Sequence, residues 1–84
     1  MKPQILKIIV VEKDKSQHDS YHDYFKNFPN YDLVGIYSSA NDALRAYKKN
    51  TPDIIILDVN SEGLKGLESI KLFRRKDWNV KIIM

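Results

Sequence analysis

The sequence contains no cysteine. That excludes a disulfide framework, a thiol nucleophile and a thiolate metal site, and leaves packing alone to hold the fold. No apolar stretch approaches the roughly 20 residues that a membrane-spanning helix needs. Met1-Lys2-Pro3-Gln4 opens onto an apolar run too short for a secretory signal, so a soluble, cytoplasmic protein is expected. Charge of one sign is also scarce, since 14 basic and 11 acidic residues leave a net charge of +3. The basic cluster Arg74-Arg75-Lys76 is too short to mark a nucleic-acid surface. Glycine and proline number three each and, Gly35 apart, fall outside the apolar runs, where they punctuate turns. With no repeat or low-complexity segment, residues 1–84 read as one domain, below the size at which chains divide.

What is present is an alternation of two hydrophobic patterns. Ile5 to Val11 is broken only by Lys7 and is rich in β-branched residues, as a strand covered on both faces is. Ser16 is placed to cap a helix in which Tyr21, Tyr24, Phe25 and Phe28 form an inward stripe that stops at Pro29. Leu33 to Tyr37 reads as a short strand. Ser39 caps a second helix with Ala43, Leu44 and Tyr47 inward, ended by Asn50-Thr51-Pro52. Asp53 to Val59 holds Ile54-Ile55-Ile56-Leu57, the most apolar run in the chain and suited to a central parallel strand. After Asn60-Ser61-Glu62-Gly63, the residues Leu67, Ile70 and Phe73 predict a third amphipathic helix, and Val80 to Met84 a fourth strand. Phe73 and Trp78 are expected to shield the turn between those two elements. The order β-α-β-α-β-α-β implies right-handed crossovers and therefore an α/β fold with a doubly wound parallel sheet.

Ligands of such sheets bind at the carboxyl ends of the strands, near the switch in strand order. Glu12-Lys13-Asp14 and Asp58-Val59-Asn60 lie there. An aspartate after a strand often only caps or turns the chain. A carboxylate held by a buried strand and exposed at the sheet edge is also able to act as a nucleophile. Attack on a phosphoryl group requires the negative charge of both partners to be offset, most simply by a divalent cation. Magnesium takes oxygen ligands, and Glu12 and Asp14 supply them if the first and third strands are neighbours; that second acidic group shifts the balance toward the nucleophile. His18 and His22 stand i, i+4 with Asp19 and Asp23, a metal-compatible spacing. They lie off the aromatic stripe and read as a solvated face.

At this point the sequence resembles a family, the receiver domains of two-component response regulators, whose flavodoxin-like fold is a five-stranded doubly wound sheet. The resemblance covers the entire chain. It is carried by Lys7-Ile8-Ile9-Val10-Val11-Glu12, by Ala43-Leu44, and most specifically by Pro52-Asp53-Ile54-Ile55-Ile56-Leu57-Asp58-Val59 followed by Gly63 and Gly66-Leu67-Glu68. It implies that Asp58 accepts a phosphoryl group from a histidine kinase or phosphotransfer protein. It also implies that Glu12, Asp58 and the backbone carbonyl of Asn60 bind Mg2+, and that the Asn60 side chain tunes phosphate lifetime. Gly63 and Gly66 match the loop that joins the phosphorylated strand to the next helix. The domain is then a signalling module and not a turnover enzyme. A phosphohydrolase built on Asp58 is disfavoured, because Asn60 stands where an Asp-x-Asp pattern needs its acid/base.

Two departures from the family pattern matter. The acidic pair after the first strand appears as Glu12-Lys13, and Glu62 occupies the usual proline site. Unit charges about 4 Å apart interact by about 4 kcal/mol at an effective dielectric near 20, so an ammonium beside a divalent ion weakens its binding strongly. Lysine is flexible and can turn its head to water, and Asp14 is a substitute ligand. Weakened phosphorylation is the leading expectation. The alternative is an atypical pseudo-receiver, a phosphate-independent interaction domain in which Lys13 serves Asp58 as internal counter-ion. Beyond these departures, Met84 falls short of the serine or threonine that the family places at the end of its fourth strand. The chain is therefore expected to be the N-terminal part of a truncated receiver, lacking the last strand and helices. Transcription regulation through DNA would belong to an output domain not present here. Without the last elements the fourth strand is an open edge and the sheet is bare beside the first helix, so self-association of this form is expected.

Overall fold

The computed structural model describes residues 4–58, 65–77 and 79–84, with the side chains of 65–67 outside the description. In chain order the elements are β1 (Leu6–Val11), a 3-10 turn (Lys15–Gln17), α1 (His18–Phe25), β2 (Tyr31–Tyr37), α2 (Ala40–Arg45), α3 (Tyr47–Asn50), β3 (Ile54–Leu57), α4 (Lys65–Lys76) and β4 (Lys81–Ile83). The strands form one sheet in the order β2-β1-β3-β4, and all three pairings are parallel. This is the doubly wound arrangement expected from the sequence. Its register sets Val11 against Leu57 on one side and against Tyr37 on the other.

Alternate residues of the strands face opposite ways. Ile9, Val11, Ile55 and Leu57 pack with Ala40, Ala43, Tyr47, Phe73 and Val80 into the main core under α2, α3 and α4. On the other face, among the described residues, Ile8 and Val10 are buried with Phe25, flanked by half-buried Tyr21, Leu33, Ile36, Ile54 and Ile56. Phe73 has no exposed surface and lies in the main core together with Val80, the residue before β4, while Trp78 lies outside the described residues.

Several local expectations are corrected. Asp14, not Ser16, caps the first helical segment: its carboxylate accepts from the Ser16 amide at 3.0 Å and from the Ser16 hydroxyl at 2.6 Å, so Ser16 is drawn into the 3-10 turn. α1 ends at Phe25, and Phe28 sits in the following turn, its amide donating to the Phe25 carbonyl at 3.0 Å. The aromatic stripe is not wholly inward, since Tyr24 is 59% and Phe28 39% exposed. β2 begins two residues before Leu33, because Tyr31 and Asp32 pair with Leu6 and Lys7 before the register shifts between Ile8 and Ile9. The Ser39 cap is present, its hydroxyl accepting from the Asp42 amide at 3.2 Å. The helix it starts breaks at Ala46 into α2 and α3.

Gly35 has a specific cause. The Tyr37 ring folds back over the strand, and a Cβ at position 35 would lie 2.7 Å from its hydroxyl oxygen. That placement lets the Asn50 amide donate to the Tyr37 hydroxyl, tying the end of α3 to β2.

Candidate functional site

Glu12 and Asp58 each follow the last residue of a strand, and those last residues, Val11 and Leu57, are paired. The ladder continues one step further, with the Asp58 amide donating to the Val11 carbonyl at 3.1 Å. Two carboxylate residues thus stand at the carboxyl ends of adjacent central strands, at the switch where β1 has β2 on one side and β3 on the other. The aliphatic run behind each of them is what fixes the backbone there: Val10, Val11, Ile55 and Leu57 have no exposed surface.

Glu12 is itself buried, at 4% exposure. Its amide donates to the Tyr37 carbonyl at 2.8 Å, its carboxylate accepts from the Asp14 amide at 3.2 Å, and its carbonyl lies 2.8 Å from His18 Nε2. Asp58 is half-buried. The negative charge of both residues is felt on α1: the Tyr21 phenol is raised above its ordinary value, first by burial and then by Glu12 and Asp58.

Asp14 does not join this pair. Its carboxylate is turned onto Ser16, whose hydroxyl and then amide hold it below the usual carboxylate value. Among the described residues no three His, Cys, Asp or Glu side chains gather into a cluster able to hold a metal ion. Glu12 and Asp58 nevertheless fit magnesium by donor chemistry: both offer hard oxygen, and this ion commonly binds through one or two carboxylates while keeping several waters. Lys13 is exposed immediately after Glu12. Asn60, Glu62 and Gly63 lie outside the described residues, and Gly66 lies within the first turns of α4.

Two residues of the site escape a reading of the sequence. Tyr21 looks like one more member of the apolar stripe. His18 reads as solvated because only its helical neighbours are visible in sequence, whereas in the fold it is half-buried and faces back across six residues to Glu12. His22 is exposed, as expected.

A parallel sheet ordered β2-β1-β3-β4, with helices on both faces and a pair of carboxylates at the central strand ends, defines a flavodoxin-like α/β protein with an acidic site at the sheet edge. Comparison with known proteins narrows that class. The chain matches the response regulator receiver domain over residues 8–84, and it belongs to that family. It is 25% identical over 79 residues to the nitrate/nitrite response regulator protein homolog of Haemophilus influenzae, covering 94% of this chain and 38% of that one. It is 32% identical over 54 residues to the chemotaxis protein CheY of Thermotoga maritima, covering 64% of this chain and 45% of that one. The chain thus spans less than half the length of these curated relatives. Among solved structures, the response regulator domain of Thermotoga maritima CheB superposes with a TM-score of 0.82 at 23% identity, over 96% of this chain and 60% of that one. The isolated REC domain of RcsB from Salmonella enterica serovar Typhimurium gives 0.82 at 16% identity, over 94% and 59%. Both likenesses support the fold. Among the described residues no helix is long and apolar enough to cross a membrane.

Proposed function

We propose that this chain is the phospho-accepting part of a two-component response regulator, with Asp58 taking a phosphoryl group from the phosphohistidine of a histidine kinase or phosphotransfer protein. The observation that carries this reading is the register that sets Asp58 beside Glu12 at the ends of two hydrogen-bonded central strands. An Asp58 carboxylate oxygen attacks phosphorus, the new P–O bond forms as the P–N bond of the donor breaks, and the released imidazole takes up a proton from solvent. The product is an acyl phosphate on Asp58. Glu12, Asp58 and the Asn60 carbonyl would hold Mg2+, which when bound offsets the charge of the two reacting anions. Asp14 serves the turn and not the metal. This role is stoichiometric signalling in the cytoplasm. Any transcription regulation through DNA belongs to segments other than these residues.

Lys13 sets the strength of the site. Its ammonium stands next to Glu12 in sequence, where a second carboxylate would strengthen the field for a cation. Treatment with a small phosphodonor and magnesium should add one phosphoryl group per chain, and chelation should prevent it. Lys13→Asp should tighten magnesium binding by at least about tenfold, about 1.4 kcal/mol, in a calorimetric titration. No incorporation in either protein would favour the phosphate-independent interaction domain instead.

A chain of these 84 residues is further proposed to self-associate. β4 is the edge of the sheet, and Ile83 and Met84 are 47% and 59% exposed. Ile83 also lines an apolar cavity of about 360 Å3 together with Tyr24, Phe25, Phe28, Ile54 and Ile56. Covering a few hundred Å2 of such surface contributes several kcal/mol at about 25 cal/mol per Å2, a large share of a small domain's stability.

A further inference from the structure

We propose that His18 is a positioning residue for the acidic site: through its ring nitrogen it holds the backbone of Glu12, and with it the carboxylate that would bind the metal. This rests on the reading of Glu12 and Asp58 given above. Three hydrogen bonds help to fasten Glu12. Its amide is tied to β2 through the Tyr37 carbonyl at 2.8 Å, its carboxylate to the loop through the Asp14 amide at 3.2 Å, and its carbonyl to α1 through His18 Nε2 at 2.8 Å. The first bond belongs to the sheet. The second lies within the turn itself and moves with it, because Asp14 is bound in turn to Ser16. The His18 bond ties that turn to a helix anchored on the sheet by buried Phe25.

The chemistry fixes the direction of the contact. A carbonyl oxygen only accepts, so Nε2 carries the proton and donates, whichever form Nδ1 takes. Loss of the imidazole would leave a part-buried carbonyl without this donor and free the segment from Glu12 to Asp14 to shift. Groups that orient a metal ligand typically change metal affinity by 10-fold to 100-fold when removed, even though they never touch the ion. His18 is thus used by the site, although its i, i+4 spacing with His22 is not.

The test uses the whole chain with three substitutions. His18→Ala should raise the magnesium concentration at half-saturation about tenfold, followed by amide chemical shifts, and should speed hydrogen exchange at the Asp14 amide. His18→Gln should restore most of both, because its amide nitrogen sits the same number of bonds from Cα as Nε2 does. His22→Ala, exposed on the same helix, should leave both unchanged. In the unsubstituted chain, nitrogen correlation spectra should find Nε2 protonated. Unchanged affinity and exchange in His18→Ala, defects in His18→Gln equal to those of alanine, or an Nδ1–H neutral tautomer would each overturn the proposal. If the unsubstituted chain binds no magnesium, the reading of the site falls. The His18 contact is then decided by exchange at Asp14, faster in His18→Ala if it holds the turn and unchanged if it does not.

Discussion

The two faces of the sheet are made from alternate residues of the same strands, and the apolar run Ile54–Leu57 does not by itself distinguish them. Ile55 and Leu57 face α2, α3 and α4 and have no exposed surface, whereas Ile54 and Ile56, their immediate neighbours, are only half-buried on the α1 face. The difference lies in what covers them. One face receives Ala40, Ala43, Tyr47 and Phe73 from three helices, with the Tyr47 hydroxyl bonded to Asp77 at 3.1 Å to join α3 to the end of α4. The other receives Phe25 and part of Tyr21 from one short helix. An apolar strand residue is therefore a demand for cover and not evidence of it. Burial in this chain is concentrated on one side, and the other side keeps apolar surface exposed.

The comparison breaks most sharply at Phe73. Truncation to alanine should cost about 3–5 kcal/mol in urea unfolding, close to the whole stability expected of so small a domain. A loss under about 1 kcal/mol would mean that the main core is not where stability resides. Ile83→Glu attacks the opposite face. It should disperse the self-associated form in sedimentation and unfold the chain in the same experiment, and a stable dispersed monomer would show the open face to be dispensable. Gly35→Ala should cost about 1–3 kcal/mol by forcing the Tyr37 ring off the strand. The smallest effect is expected at Tyr24, where serine should change the stability of the individual chain by no more than about 0.5 kcal/mol. A penalty there rivaling that of Phe73 would erase the distinction between the faces.

Much of this was legible in the sequence, for identifiable reasons. Four consecutive aliphatic, mostly β-branched residues at Ile54–Leu57 mark a strand of the sheet, and Ser39 directly before Ala40 marks the cap of α2. Asp14 and Ser16 are both good caps, and the choice between them depends on the path by which the chain leaves β1, which no local pattern records. The stripe Tyr21, Tyr24, Phe25, Phe28 shows which residues are apolar, not how many of them a single helix can bury. At the site, the sequence makes Glu12 and Asp58 adjacent only if β1 and β3 are neighbours, and the strand order of the fold supplies that condition. The capture of Asp14 by Ser16 and the return of His18 to Glu12 are contacts of side-chain geometry across a turn, and they became visible only with the fold.

The central claim is that Asp58 is the phosphoacceptor. Its most direct test is to expose the chain to a small phosphodonor with magnesium, then locate the modification by peptide mass spectrometry in the unsubstituted, Lys13→Asp and Asp58→Asn proteins. The acyl phosphate should appear on Asp58, should form more readily with Lys13→Asp, and should be absent from Asp58→Asn. Modification of another residue to the same extent in all three proteins, or of none, would contradict it.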